Sequence, residues 1–207
     1  MTIHAPLFIV LLPVSAALLC MLFSRIQKNL GSWIVIASIV GAFLSAVTSL
    51  QRVIADGGKP IHYWMGNWQP PLGIEFVIDP ISGALAVLIT FISLLGAIYS
   101  LPFVKEEGWL HIGGYYTLYG LMTVGMCGMV ITGDVFNLYV FLEVMSLSGY
   151  GLIAIGGKKS MLAAFRYLLI GTIGASLYLL GVGYMYALTG TLNMADMAVR
   201  AAEFLNY

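Results

Sequence analysis

Apolar residues fall into six long blocks separated by short polar or glycine-rich breaks. Each block is long enough to cross a hydrocarbon layer ~30 Å thick as a helix of about 20 residues. They predict helices over about 5–24, 30–50, 80–101, 113–132, 135–155 and 161–188. Several ends carry their own signals. Asp79 can cap the third helix with Pro80 in its first position, and Pro102 ends it. Asp134, after Gly133, reads as the N-cap of the fifth helix, Gly156 and Gly157 release it, and Ser160 reads as the N-cap of the sixth. Pro13 is a kink that a membrane helix tolerates, Arg25 and Lys28 close the first span, and Trp33 stands at an interfacial level. With only Gly133 and Asp134 between them, the fourth and fifth helices must be antiparallel neighbours. In the loop 51–78, Ile61–Trp64 and Ile74–Ile78 predict two short strands of a small cap, with Trp64 and Trp68 at headgroup level. The tail 189–207 is amphipathic: Leu192, Ala195, Val199 and Ala202 trace one apolar face, and Asp196 and Arg200 stand at i, i+4. The fold class is therefore all-α integral membrane: one domain, 1–207, with six transmembrane helices and a short amphipathic C-terminal tail.

Composition agrees. The chain of 207 residues is 60% hydrophobic and 9% charged, with a mean hydropathy of +0.97, which is the range of polytopic membrane proteins rather than soluble domains. Net charge is zero and the nine Lys and Arg are dispersed, so neither nucleic acid nor a polybasic lipid contact is indicated. With the N-terminus outside, the inner loops hold Arg25, Lys28, Lys105, Lys158 and Lys159 against Arg52, Lys59 and Arg200 outside, so the positive-inside bias places both termini outside. The expected location is the cell (inner) membrane, multi-pass. The first block lacks a basic n-region and a small-residue cleavage site, so it is expected to stay as a helix.

One residue breaks the apolar pattern of the fifth block. Glu143 is the only charge in 135–155, nine residues past Asp134 and so roughly 13 Å deep, near the midplane. A carboxylate there costs at least ~2.5 kcal/mol on insertion scales and marks an ion or proton path more often than an accident. Tyr139, Ser146 and Tyr150, at i−4, i+3 and i+7, complete a polar stripe with it. Arg166, six residues after Ser160 and roughly 9 Å in, reaches a depth similar to that of Tyr150. A hydrated line past Arg166 and Tyr150 to Glu143 is geometrically possible; the plainer reading of Arg166 is a lipid-phosphate anchor.

Other residues invite structural readings. His4, His62 and His111 are scattered and solvated, without metal-ligand spacing, and Cys20 and Cys127 are packing residues. Tyr115, Tyr116 and Tyr119 fit an aromatic belt. Gly120, Gly125, Gly128, Gly171, Gly174 and Ala175 suit close helix packing. Nucleophile elbow, phosphate loop, haem pair and cysteine cluster are all missing, so no catalytic residue, cofactor or metal is expected.

Three stretches carry a family resemblance: Gly133-Asp134-Val135-Phe136-Asn137-Leu138-Tyr139-Val140-Phe141-Leu142-Glu143-Val144-Met145-Ser146, Arg166-Tyr167-Leu168 and Gly190-Thr191-Leu192-Asn193-Met194-Ala195-Asp196. Together with Ile78-Asp79-Pro80-Ile81-Ser82 they resemble the D-type antiporter-like subunits of Mrp-type Na⁺/H⁺ antiporters, a superfamily shared with proton-pumping subunits of respiratory complex I and membrane-bound hydrogenases. The resemblance implies that Glu143 is the key ionisable residue of the fifth helix, which in the family pairs with a lysine on a later, broken helix. It also implies that Arg166 matches a position near the start of the sixth helix that is often basic. The later helices and their lysines are not in this sequence, so a second polypeptide supplies them or the sequence is a fragment.

Two function classes follow. In the first, the chain belongs to a proton- or cation-translocating complex, contributes Glu143 to an H⁺ or Na⁺/H⁺ path, and works with other membrane subunits. In the second, it is a structural membrane subunit that packs in such a complex without translocating ions. A path that ends at Glu143 has no exit without further helices, so the isolated chain is expected to conduct nothing.

Overall fold

The computed structural model describes residues 4–27, 29–104 and 109–205. Lys28 and Lys105, used above to orient the chain, lie outside the described residues. Six helices are long and apolar enough to span a membrane: α1 (Ala5–Ile26), α2 (Leu30–Ala55), α3 (Pro80–Val104), α4 (Trp109–Ile131), α5 (Val135–Ala154) and α6 (Lys158–Thr189). The tail forms α7 (Met194–Leu205), and the long connection folds into an antiparallel hairpin of β1 (Ile61–Trp64) and β2 (Glu75–Ile78), with Ile61 opposite Ile78 and Trp64 opposite Glu75.

α1 packs on both α2 and α4, α3 closes against α2 and α4, and α5 then α6 extend the row from α4. The interior divides into two apolar clusters. At the hairpin end Ile9, Val53, Phe76, Ile78, Ile131 and Phe141 interlock; at the opposite end Cys20, Val35, Ile39, Ala97, Ile112 and Tyr116 do so. Cys20 and Cys127 are both buried, as packing residues would be. Of the most apolar stretches, 39% is buried in α1 and α2 but only 11% in α5 and α6. The candidate helix therefore lies at the uncovered side of the bundle.

Small residues set the spacing of the helices. A Cβ at Gly125 of α4 would stand 2.6 Å from the Met145 main-chain nitrogen and 2.7 Å from the Phe141 carbonyl oxygen, so α4 and α5 touch backbone to backbone.

Several local expectations fail. Pro102 does not stop the third helix, which continues through it to Val104; a proline in the last turn removes a single main-chain bond, which a membrane helix tolerates. Ser160 is not the cap of the sixth helix, because Gly157, at φ 101°, turns the chain and the helix already begins at Lys158. Tyr116 and Tyr119 form no interfacial belt. Tyr116 is buried, its hydroxyl 2.9 Å from Ser100 Oγ, and Tyr119 donates to the Ser93 carbonyl at 2.9 Å, so both phenols tie α4 to α3 in the interior. The α7 face is no such failure: traced by Leu192, Ala195, Val199 and Ala202, it would suit a neighbour and is left largely uncovered by this chain, with Val199 exposed while Met197 is buried. The Asp196–Arg200 pair does form, at 3.0 Å.

Candidate functional site

α5 starts where the sequence places it. Asp134 Oδ1 accepts the Asn137 amide at 2.7 Å, a side-chain cap on an otherwise free donor. Nine residues on, ~13 Å along the axis, comes Glu143.

The stripe containing Glu143 faces α6, and aromatic contacts mark both of its ends. The rings of Tyr139 and Tyr178 stack in parallel with centroids 6.4 Å apart, and the Tyr178 hydroxyl donates to the Val135 carbonyl at 3.1 Å. Tyr150 is buried, meets Tyr167 edge to face at 4.8 Å, and aims its hydroxyl at Gly171, where any Cβ would collide with it. Between these contacts lie Glu143 and Ser146, both half-buried. Because the helices run antiparallel, four residues after Tyr139 corresponds to four before Tyr178, so Glu143 stands level with Gly174. Nothing lies within 4 Å of where a Gly174 Cβ would stand, so that position of α6 is open at the height of the carboxylate, next to the buried Ala175. Among the described residues, the Glu143 carboxylate has no ion-pair or hydrogen-bond partner. A half-buried carboxylate without a partner on a helix this apolar is left to water, a proton, a cation or a group from another helix.

Arg166 is exposed and stands near the level of Tyr150, about two turns from Glu143. Its position is nine residues past Gly157, ~13 Å along α6 rather than the 9 Å expected from a start at Ser160. The structure thus brings Tyr139, Glu143, Ser146 and Tyr150 onto one α6-facing strip and leaves Arg166 apart from the carboxylate.

A second carboxylate escaped the sequence reading. Glu75, in β2, is only 4% exposed; its side chain accepts from Asn193 Nδ2 at 2.6 Å and stands 3.1 Å from His62 Nδ1. His62 is therefore not simply solvated. The one available signal was an acid inside a short β-rich run, which by itself reads as a solvent-facing strand position. Among the described residues no group of three or more His, Cys, Asp or Glu is arranged to hold a metal.

Residues 132–206, which include α5 and α6, match the family of NADH:quinone oxidoreductase/Mrp antiporter transmembrane domains. The chain is 45% identical over 199 residues to NADH-quinone oxidoreductase subunit N of Desulforudis audaxviator, covering 96% of this chain and 40% of the relative. It is 32% identical over 195 residues to the D component of the Na⁺/H⁺ antiporter of Bacillus subtilis, covering 94% and 38%. Among solved structures, it superposes on a chain of the archaeal membrane-bound sulfane sulfur reductase with a TM-score of 0.87 at 32% identity, covering 95% of this chain and 40% of that one. With a chain of the Dietzia Mrp complex the TM-score is 0.78 at 26% identity, covering 97% and 39%. The chain thus spans about 40% of the length of the curated relatives it matches. It is a multi-pass membrane protein whose homologues are ion-translocating subunits of complex I-like and Mrp antiporter assemblies.

Proposed function

We propose that this chain, a homologue of complex I-like and Mrp antiporter subunits, forms part of a proton- or cation-translocating membrane complex in which Glu143 takes up and releases the transported proton. The observation that carries this reading is the half-buried carboxylate held at mid-helix between the Tyr139–Tyr178 and Tyr150–Tyr167 contacts, facing α6 and without a partner among the described residues of its own chain. The uncovered sides of α5 and α6 leave room for helices of the same or another polypeptide, and the family resemblance supplies a lysine there. A cation brought near a carboxylate favours its charged form, and withdrawing it favours protonation, so movement of such a lysine would drive proton release and uptake. Tyr150 and Ser146 line the approach to the carboxylate, and Arg166 shapes its mouth from α6. Partners are other membrane subunits, the transported ion is H⁺ with Na⁺ as the alternative coupled ion, and the host is the cell (inner) membrane with both chain termini on its outer side.

Glu143→Gln keeps shape and hydrogen bonding but cannot carry a proton. In membranes containing the assembled complex it should lower pH-gradient formation to background without reducing assembly. Transport near the wild-type level with normal assembly would instead support a structural subunit.

A further inference from the structure

The path proposed above leaves Glu75 without a role, yet this buried carboxylate joins four segments at the hairpin end. Its Oε1 accepts from Asn193 Nδ2 at 2.6 Å in the α6–α7 loop, and its Oε2 stands 3.1 Å from His62 Nδ1 on β1. Its main-chain carbonyl, on β2, accepts the Gly133 amide of the α4–α5 turn at 3.0 Å. Asn193 is shared, since its Oδ1 also accepts the Asp196 amide at 3.1 Å in the first turn of α7. The turn and the loop are then stitched by the Val135 amide on the Leu192 carbonyl at 3.0 Å and the Met194 amide on the Gly133 carbonyl at 2.9 Å. Gly133 has no room for a side chain: a Cβ would lie 2.8 Å from the Val77 Cγ2 and 3.0 Å from the Glu75 Cγ.

The surroundings favour an acceptor over a proton carrier. Both carboxylate oxygens are engaged, one of them by an amide that cannot relay a proton. Toward Glu143 the surroundings are mostly apolar: Phe76 next to Glu75 and Phe141 two residues before Glu143 pack at 6.2 Å between ring centroids and border a cavity of about 210 Å³ in which Asn137 is the polar lining residue. Among the described residues no hydrogen bond links Glu75, Asn193 or the Thr132–Asn137 pair to Glu143.

We propose that Glu75 is a positioning residue: as a hydrogen-bond acceptor it clamps the start of α5 to the α6–α7 loop and so fixes the level at which Glu143 faces α6. This rests on the reading of Glu143 as the ionisable group of the path.

The test compares Glu75→Gln with Glu75→Ala in the full polypeptide and its complex, reading both transport and amide hydrogen exchange across 132–137 and 191–197. Gln still offers a carbonyl to Asn193, so transport should stay within about twofold of wild type and exchange should be unchanged. Ala leaves the Asn193 amide buried without its acceptor. Exchange in both segments should then speed up at least about tenfold, and transport should fall by a similar factor. Should Glu75→Ala fail to accumulate, Asn193→Ala breaks the same bond with Glu75 in place and carries the same expectation. Loss of transport in Glu75→Gln with unchanged exchange would overturn the proposal in favour of a proton carrier. Unchanged exchange in both Glu75→Ala and Asn193→Ala would overturn the clamp. Glu143→Gln measured alongside separates the readings, because transport surviving in it refutes the path while the exchange data still decide the clamp.

Discussion

Adding one methyl group at Gly125 should disturb the helix that holds Glu143 more than the same change at an open position of α4. The added Cβ would meet Met145 N at 2.6 Å and Phe141 O at 2.7 Å, whereas ordinary contact begins at 3.4 Å. Both obstacles are main-chain atoms, so no rotamer change relieves them, and α5 must retreat by about 0.8 Å. Phe141 and Met145 flank Glu143 on the same helix, so the carboxylate moves with them. Overpacking of this kind costs about 1–3 kcal/mol. Gly114→Ala is the control, since it makes the same change on the same helix with nothing within 4 Å. Any gain in helix propensity, up to about 1 kcal/mol, then cancels in the comparison. Reversible unfolding of the two variants in mixed detergent should differ by that ~1–3 kcal/mol, Gly125→Ala being the weaker. Its transport should also fall on the order of tenfold or more, because displacements near 1 Å are enough to spoil a reacting geometry. Equal stability and equal transport in the two variants would refute the backbone-contact argument.

Two further outcomes follow from the helix ends and the chain's course. Asp79 Oδ1 accepts the Ser82 amide at 2.6 Å, and this bond holds its carboxyl below the ordinary carboxylate range. The cap should therefore stabilise the start of α3 fully above about pH 4 and be lost as pH falls through the lowered value, and Asp79→Ala should cost about 1 kcal/mol at pH 7 but little at acid pH; a cost independent of pH would contradict this. For topology, single cysteines at Asp56 and Lys159 in a background lacking Cys20 and Cys127 should label from opposite faces of the membrane, and labelling from the same face would refute the span count between them.

Much of the fold was legible because membrane helices announce themselves by length and composition, and because turns such as Asp79-Pro80 and Gly133-Asp134 carry strong local chemistry. The failures share a cause. Tyr116 and Tyr119 fit a belt by position, but their hydroxyls find Ser100 and Ser93 across the α3–α4 contact, which a single helix cannot reveal. Ser160 looked like a cap, while Gly157, able to adopt φ 101°, had already turned the chain. Glu143 was visible because a charge in an apolar run is locally anomalous. Glu75 was not, because its partners His62 and Asn193 lie 13 and 118 residues away.

Infrared difference spectra of the assembled complex, recorded as a pH gradient is imposed or discharged, test the proton-exchanging role of Glu143 most directly. The account predicts a protonated-carboxyl band that appears and disappears with the gradient and is absent in Glu143→Gln but retained in Glu75→Gln. A band that persists unchanged in Glu143→Gln would contradict it.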